Sequence, residues 1–243
     1  MSALALPLAA AAVVAAGLAP ARPPAPGAAP ASAPRGAYYA HSRNELHLVD
    51  PKAHTTRFVM ALPDRTTDIA IAADGTLYTC TDGALYRVTP AEHRLDLVGE
   101  FGATAGMNAL GFGRDGALYG AGWDGGVYRV STKTGAAARV ATLPAGVESA
   151  GDLVNGPNGD LLLTTNEDGV AHDALYAIDP IAGKVRLVGV LSHDKVYGLS
   201  ARRGSILAFT EAGEVLALDP KTGATRLLYR VSLTFWGVVD RLP

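Results

Sequence analysis

Residues 115–135 read Asp-Gly-Ala-Leu-Tyr-Gly-Ala-Gly-Trp-Asp-Gly-Gly-Val-Tyr-Arg-Val-Ser-Thr-Lys-Thr-Gly. Glycine follows aspartate twice, at Asp115-Gly116 and Asp124-Gly125. Glycine there supplies the positive φ of a tight hairpin turn. The segments between the turns are short and rich in Leu, Val and Tyr, as pleated strands are. The polar run Ser131–Gly135 then turns the chain again.

The same unit recurs along the chain. Its core hexapeptide appears as Leu46–Pro51, Leu85–Pro90, Val127–Thr132, Leu175–Pro180 and Val215–Pro220, with first residues spaced by 39, 42, 48 and 40. Each copy follows a turn and another strand, as in Asp74-Gly75-Thr76-Leu77-Tyr78 and Asn158-Gly159-Asp160-Leu161-Leu162. A third strand comes after each copy, for example Arg94–Phe101 and Val185–Leu191. A fourth, rich in Gly and Ala, precedes each turn: Asp68–Ile71, Asn108–Phe112, Asp152–Asn155 and Tyr197–Ser200. Its fifth copy lies at the C-terminus, Phe235–Asp240. A fixed period of about 40 residues with hairpins inside each unit specifies radial repetition of small sheets. The expected fold is therefore all-β: a single five-bladed β-propeller of four-stranded antiparallel blades. N-terminal strands would pair with the C-terminal strand to close it and remove a free edge. Many strands are apolar at both parities, as a blade covered on both faces requires.

Residues 3–19 are apolar and uncharged, and Ala19-Pro20-Ala21 offers a small-x-small cleavage pattern. Residues 1–21 are thus expected to be a signal peptide, 22–35 a Pro/Ala-rich linker and 36–243 the propeller domain. This predicts a secreted or periplasmic protein with no stable membrane span after cleavage. A retained anchor is the rival, though the run is short for crossing about 30 Å of hydrocarbon.

Composition narrows the partners. Formal net charge is −2, and no basic patch supplies several phosphate contacts, so nucleic acid is not expected. The single cysteine, Cys80, forms neither an internal disulfide nor a thiolate zinc site, and reads as a small buried hydrophobe. The histidines are expected in outer strands and turns.

The unit Asp-Gly-x-Leu-Tyr followed by Leu-Tyr-x-Val-Asp/Thr-Pro resembles the repeats of bacterial secreted propellers: the YVTN, WD40-like, quinoprotein-like and gluconolactonase-like superfamily. The likeness covers residues 36–243 and implies fold rather than activity. Trp123 and Trp236 are the only tryptophans, so the docking tryptophans of a quinoprotein dehydrogenase are missing.

By register, the channel mouth is ringed by Thr67, Asp68, Asn108, Glu148, Asp152, Tyr197 and Trp236, the expected binding residues. Asp68 and Asp152 occupy equivalent places, each six residues before its turn. Together with Asn108 and Glu148 they form an oxygen-rich set of the kind Ca2+ takes, and this is the one cofactor the sequence suggests. The alternative is that these groups cap strand ends and order water. No catalytic constellation stands out and most loops are short. The preferred expectation is therefore an exported, non-catalytic propeller recognising a protein, glycan or small-molecule ligand through one face. A Ca2+-dependent hydrolase or lactonase at the channel mouth is the alternative.

Overall fold

A computed structural model describes residues 34, 36–103, 106–167, 171–202 and 204–240. The expected signal peptide and most of the linker lie outside them. In chain order the strands are β1 (Tyr38–Ser42), β2 (Glu45–Asp50) and β3 (Thr55–Ala61); β4 (Thr66–Ile71), β5 (Leu77–Thr81), β6 (Ala84–Thr89) and β7 (Arg94–Glu100); β8 (Met107–Phe112), β9 (Leu118–Gly122), β10 (Gly126–Val130) and β11 (Ala137–Thr142). They continue with β12 (Val147–Asn155), β13 (Leu161–Glu167), β14 (Ala174–Asp179) and β15 (Lys184–Val190); β16 (Val196–Arg202), β17 (Ser205–Thr210), β18 (Glu214–Leu218) and β19 (Thr225–Arg230); and finally β20 (Gly237–Asp240). They form five four-stranded sheets, each a blade. Four blades are consecutive in sequence. The remaining one is ordered β20-β1-β2-β3, with Tyr38 opposite Asp240 and Ala40 opposite Val238. The inner strands β4, β8, β12, β16 and β20 touch in cyclic order around an axis.

The turn chemistry read from the repeat is realised. Gly75 and Gly159 have φ of +87° and +91°. The Asp or Ser at the fifth position of the hexapeptide folds its side chain onto the following backbone. Asp50 Oδ1 accepts from the amides of Lys52 and Ala53, Asp179 Oδ1 from those of Ile181 and Ala182, and Ser131 Oγ from those of Lys133 and Thr134. These side-chain caps satisfy donors that the turn takes out of the ladder.

Five apolar clusters form the core, one at each seam between neighbouring blades. Leu153, Leu163 and Tyr176 meet Tyr119 and Val127 at one seam, and Leu162 and Leu175 meet Leu199 and Leu216 at the next. This two-faced burial explains the apolar residues at both parities. The seam flanking β20 is aromatic: Phe209 packs against Tyr38 and Phe235 at centroid distances of 5.1 Å. Every outer strand also carries a bulge, which leaves Val59, Val98, Val140, Val188 and Leu228 without cross-strand partners. A bulge bends and twists a strand, and so blunts an edge that would otherwise template further pairing.

Phe235 is fully buried where the C-terminal segment meets the first blade. Phe235→Ala should cost about 3–5 kcal/mol by cavity formation, whereas Phe58→Ala, half exposed on an outer strand, should stay within about 0.5 kcal/mol. Urea denaturation of both variants checks this.

Candidate functional site

Strand pairing places Ile69, Leu110, Leu153, Leu199 and Val238 at one level of the five inner strands, opposite Thr79, Gly120, Leu163, Ala208 and Ala40. An innermost strand has no neighbour on its axial side, so amides pointing there lack ladder partners. Two carboxylates collect all five. Asp68 accepts from Ile69 N–H at 2.8 Å and, in the next blade, from Leu110 N–H at 2.6 Å. Asp152 accepts from Leu153 N–H at 2.6 Å, Leu199 N–H at 2.7 Å and Val238 N–H at 3.3 Å. Both aspartates are completely buried. The equivalent positions in the other blades are Ala109, Gly198 and Gly237, which leave room for the carboxylates to cross. A Cβ on Gly237 would lie 2.1 Å from Asp68 Oδ1.

Burial pushes both carboxyls well above the usual carboxylate range, and Asp152 raises Asp68 further; the amide bonds pull in the opposite direction. Cys80 lies alongside, with Thr67 Oγ1 3.3 Å from its sulfur. Burial, then the nearby Asp68 charge, pushes the thiol up, which keeps it protonated and poorly nucleophilic. His41 departs from the expectation for histidines. It is fully buried, and its Nε2 flanks the same place beside Gly237. Desolvation lowers it to about 4, so it is neutral at physiological pH.

Each inner strand is irregular just above this level. Pairing skips Thr67 between Thr66 and Asp68, Asn108 between Met107 and Ala109, Tyr197 between Val196 and Gly198, and three residues between Ser149 and Leu153. In the first blade Trp236 N–H bonds the carbonyl of His41, whose strand partner is Gly237. These skipped or flanking residues line a cavity of about 440 Å³ at the upper mouth, the end where the inner strands begin. Trp123 stands at its wall, and a Cβ on Gly106 would lie 2.1 Å from its ring. Asn108 Nδ2 donates to Ser149 O at 2.9 Å and Thr67 Oγ1 to Met107 O at 2.9 Å. Asn108 Oδ1, Ser149 Oγ and Trp236 Nε1 are buried without partners. At the rim Arg65 pairs with Asp82, and Lys195 Nζ lies 2.5 Å from Glu211 Oε2.

The opposite end of the axis opens into a cavity of about 670 Å³ lined by Ile71, Phe112, Val154 and Val239 and by the polar Arg114, Asn155, Ser200 and Asp240. The two cavities share no lining residue.

The expected binding residues therefore divide. Thr67, Asn108, Tyr197 and Trp236 line the mouth. Asp68 and Asp152 are engaged with backbone amides at the level below. Glu148 is exposed near the start of β12, outside the mouth lining. The four residues expected to share Ca2+ are not gathered into one oxygen-rich shell. Among the described residues no group of three or more His, Cys, Asp or Glu side chains is arranged to hold a metal ion. Arg65, Asp82 and Glu211, not anticipated from sequence, complete the rim together with Asn166; Asp82 and Glu211 lie at, and Asn166 near, the tips between the second and third strands of their blades. The repeat carried that signal, since alternating strand direction puts those tips on the same face as the starts of the inner strands.

No known family's sequence pattern matches this chain, and no curated protein matches it. Solved structures do. A chain of a nidogen/laminin complex superposes with a TM-score of 0.61 at 8% identity, covering 85% of this chain and 98% of that one. A protein of unknown function from Bacteroides thetaiotaomicron VPI-5482 gives 0.60 at 14% identity, over 86% of this chain and 62% of that one. A gluconolactonase from Xanthomonas campestris gives 0.56 at 17% identity, over 82% and 78%. At such identities the likeness establishes fold alone. The protein is a five-bladed β-propeller. It resembles the propeller superfamily without falling into one family, and its structural neighbours include both binding and catalytic proteins.

Two outcomes follow from the axial geometry. Each orphaned buried amide costs about 1–3 kcal/mol. Asp152→Ala, which strips three, should therefore lower stability more than Asp68→Ala, which strips two, as read from denaturation midpoints at equal m-value. Separately, burial pushes the Asp173 carboxyl up to about 6, where it accepts from Val196 N–H at 2.7 Å. The folded state then holds a proton that the unfolded chain, at its ordinary 3.8, has lost. Stability from this site is full below about pH 4 and falls as pH rises through about 6. The stability difference between wild type and Asp173→Asn should change across that window and level off above it.

Proposed function

We propose that the protein is an exported, non-catalytic recognition propeller that meets its ligand or protein partner at the upper channel mouth. The observation that carries this reading is the repeated irregularity at the top of the inner strands. It turns Thr67, Asn108 and Tyr197 out of the ladder and toward one cavity. Bulges re-aim side chains and are enriched beside functional sites. The cavity volume falls within the usual ligand-pocket range of about 300–1,000 Å³. The axial carboxylate pair is occupied by five amides, and the one buried imidazole beside it is neutral. Among the structural neighbours, the nidogen/laminin complex supplies a precedent for protein binding on this fold. Export rests on the apolar run at residues 3–19 and the small residues following it.

The second reading, a Ca2+-dependent hydrolase or lactonase, is supported by the axial Asp68–Asp152 pair and the fold it shares with the gluconolactonase. Calcium separates the two. Specific native-state binding at 100 times Kd would add about 2.7 kcal/mol of stability. The recognition reading predicts no Ca2+-dependent shift in the thermal melt. It also predicts a saturable change in tryptophan emission when a broad library of metabolites and extracellular proteins is titrated in. A calcium shift accompanied by ester or lactone hydrolysis would favour the enzyme.

A further inference from the structure

The upper mouth has a polarity that selects among ligand classes. Its buried unpartnered atoms are mixed: Asn108 Oδ1 accepts, Trp236 Nε1 donates, and Ser149 Oγ can do either. Asn108 is 6% exposed and Ser149 is fully buried. A carboxylate or a fully ionised phosphate monoester only accepts and would leave Asn108 Oδ1 unmatched. An ammonium group only donates and would leave Trp236 Nε1 unmatched. A hydroxyl both donates and accepts.

Charge points the same way. Among the described lining residues the one cation, Arg65, is already paired with Asp82, and Lys195 at the rim is held by Glu211. No such cation is left to receive an anionic ligand, and Glu148 lies exposed nearby. The wall also carries three aromatic side chains: Trp123, 44% exposed, with Tyr197 and Trp236. Aromatic surface alternating with hydrogen-bonding groups complements a ring whose C–H faces alternate with hydroxyls.

We infer that the upper mouth binds a neutral carbohydrate, stacked against the aromatic wall, its hydroxyls meeting Asn108, Ser149 and Trp236. This rests on the recognition reading and names its ligand class. The lower cavity also holds unpartnered buried polar atoms, Asn155 Oδ1 and Ser200 Oγ, but its lining has Phe112 as its one aromatic and no tryptophan against which a ring could stack.

The chain supplies its own reporter. Trp123 and Trp236 are its only tryptophans, and both line the mouth. Intrinsic emission of the full-length protein should be titrated with neutral methyl pyranosides and disaccharides, the matching uronates, an N-acetylated dipeptide amide, choline and inorganic phosphate. Neutral sugars should give a saturable change, with uronates at least tenfold weaker. Asn108→Ala and Ser149→Ala should each weaken sugar binding about tenfold or more while circular dichroism stays unchanged. Should either variant fail to fold, Tyr197→Ala serves as a second probe, with the same weakening expected. Sugar titrations unaffected by these substitutions would overturn the assignment. Saturation by the amide or choline, with none by sugars, would overturn the carbohydrate class and leave recognition at the mouth standing. Silence from every probe would also overturn the carbohydrate class, and the library titration described above then judges the recognition reading separately.

Discussion

Five sheets converging on one axis create a problem that no strand can solve alone: each innermost edge presents amides with no further strand to pair with. Buried and unpaired, each would cost free energy comparable to a lost hydrogen bond. Here two side chains answer for all five blades. Asp68 ties the second blade to the third, and Asp152 ties the fourth to the fifth and to the C-terminal strand. Burying two carboxylates together is unfavourable by itself, since desolvation and mutual repulsion both oppose ionisation. The convergent amides offset that cost, and the small residues at the other three positions make space for it. The stretch at the axis is thus a mutual solution, in which neither amides nor carboxylates are tolerable without the other.

This arrangement shapes what the two ends of the channel can do. The upper end is lined by residues expelled from the ladder and carries polar atoms awaiting partners. The lower end continues as regular strand, and its lining mixes aliphatic side chains and Phe112 with Asp74, Arg114, Asn155, Ser200 and Asp240. Chemistry at one mouth is insulated from the other by the level of Asp68 and Asp152. The recognition reading depends on this division, because it removes the aspartates from the roster of ligand-facing groups and leaves aromatic and neutral polar side chains in their place.

The architecture was readable because the repeat encodes it redundantly. Asp-Gly turns, the aspartate, threonine or serine at the fifth place of each hexapeptide, and apolar residues at both parities each specify the same blade. Phe235–Asp240, a lone inner-strand copy at the chain's end, told where the fifth blade would find its missing strand. The site was only partly readable. Register located Thr67, Asn108, Tyr197 and Trp236 at one end of the axis. It did not reveal which partners Asp68 and Asp152 would find, because residue type shows an acceptor and not the amides of neighbouring blades. Glu148 went astray for a different reason. Pairing of β12 with β13 skips between Ser149 and Leu153, so simple alternation counted back from Asp152 misplaces it. His41 was hidden because its strand is the second of its blade, and only close approach at Gly237 brings it beside the axis.

Native-state amide hydrogen exchange in Asp152→Ala tests the central claim directly. The account predicts selective loss of protection at Leu153, Leu199 and Val238, with Ile69 and Leu110 keeping the protection that Asp68 gives them. Unchanged protection at all five amides, or loss centred on Ile69 and Leu110, would contradict it.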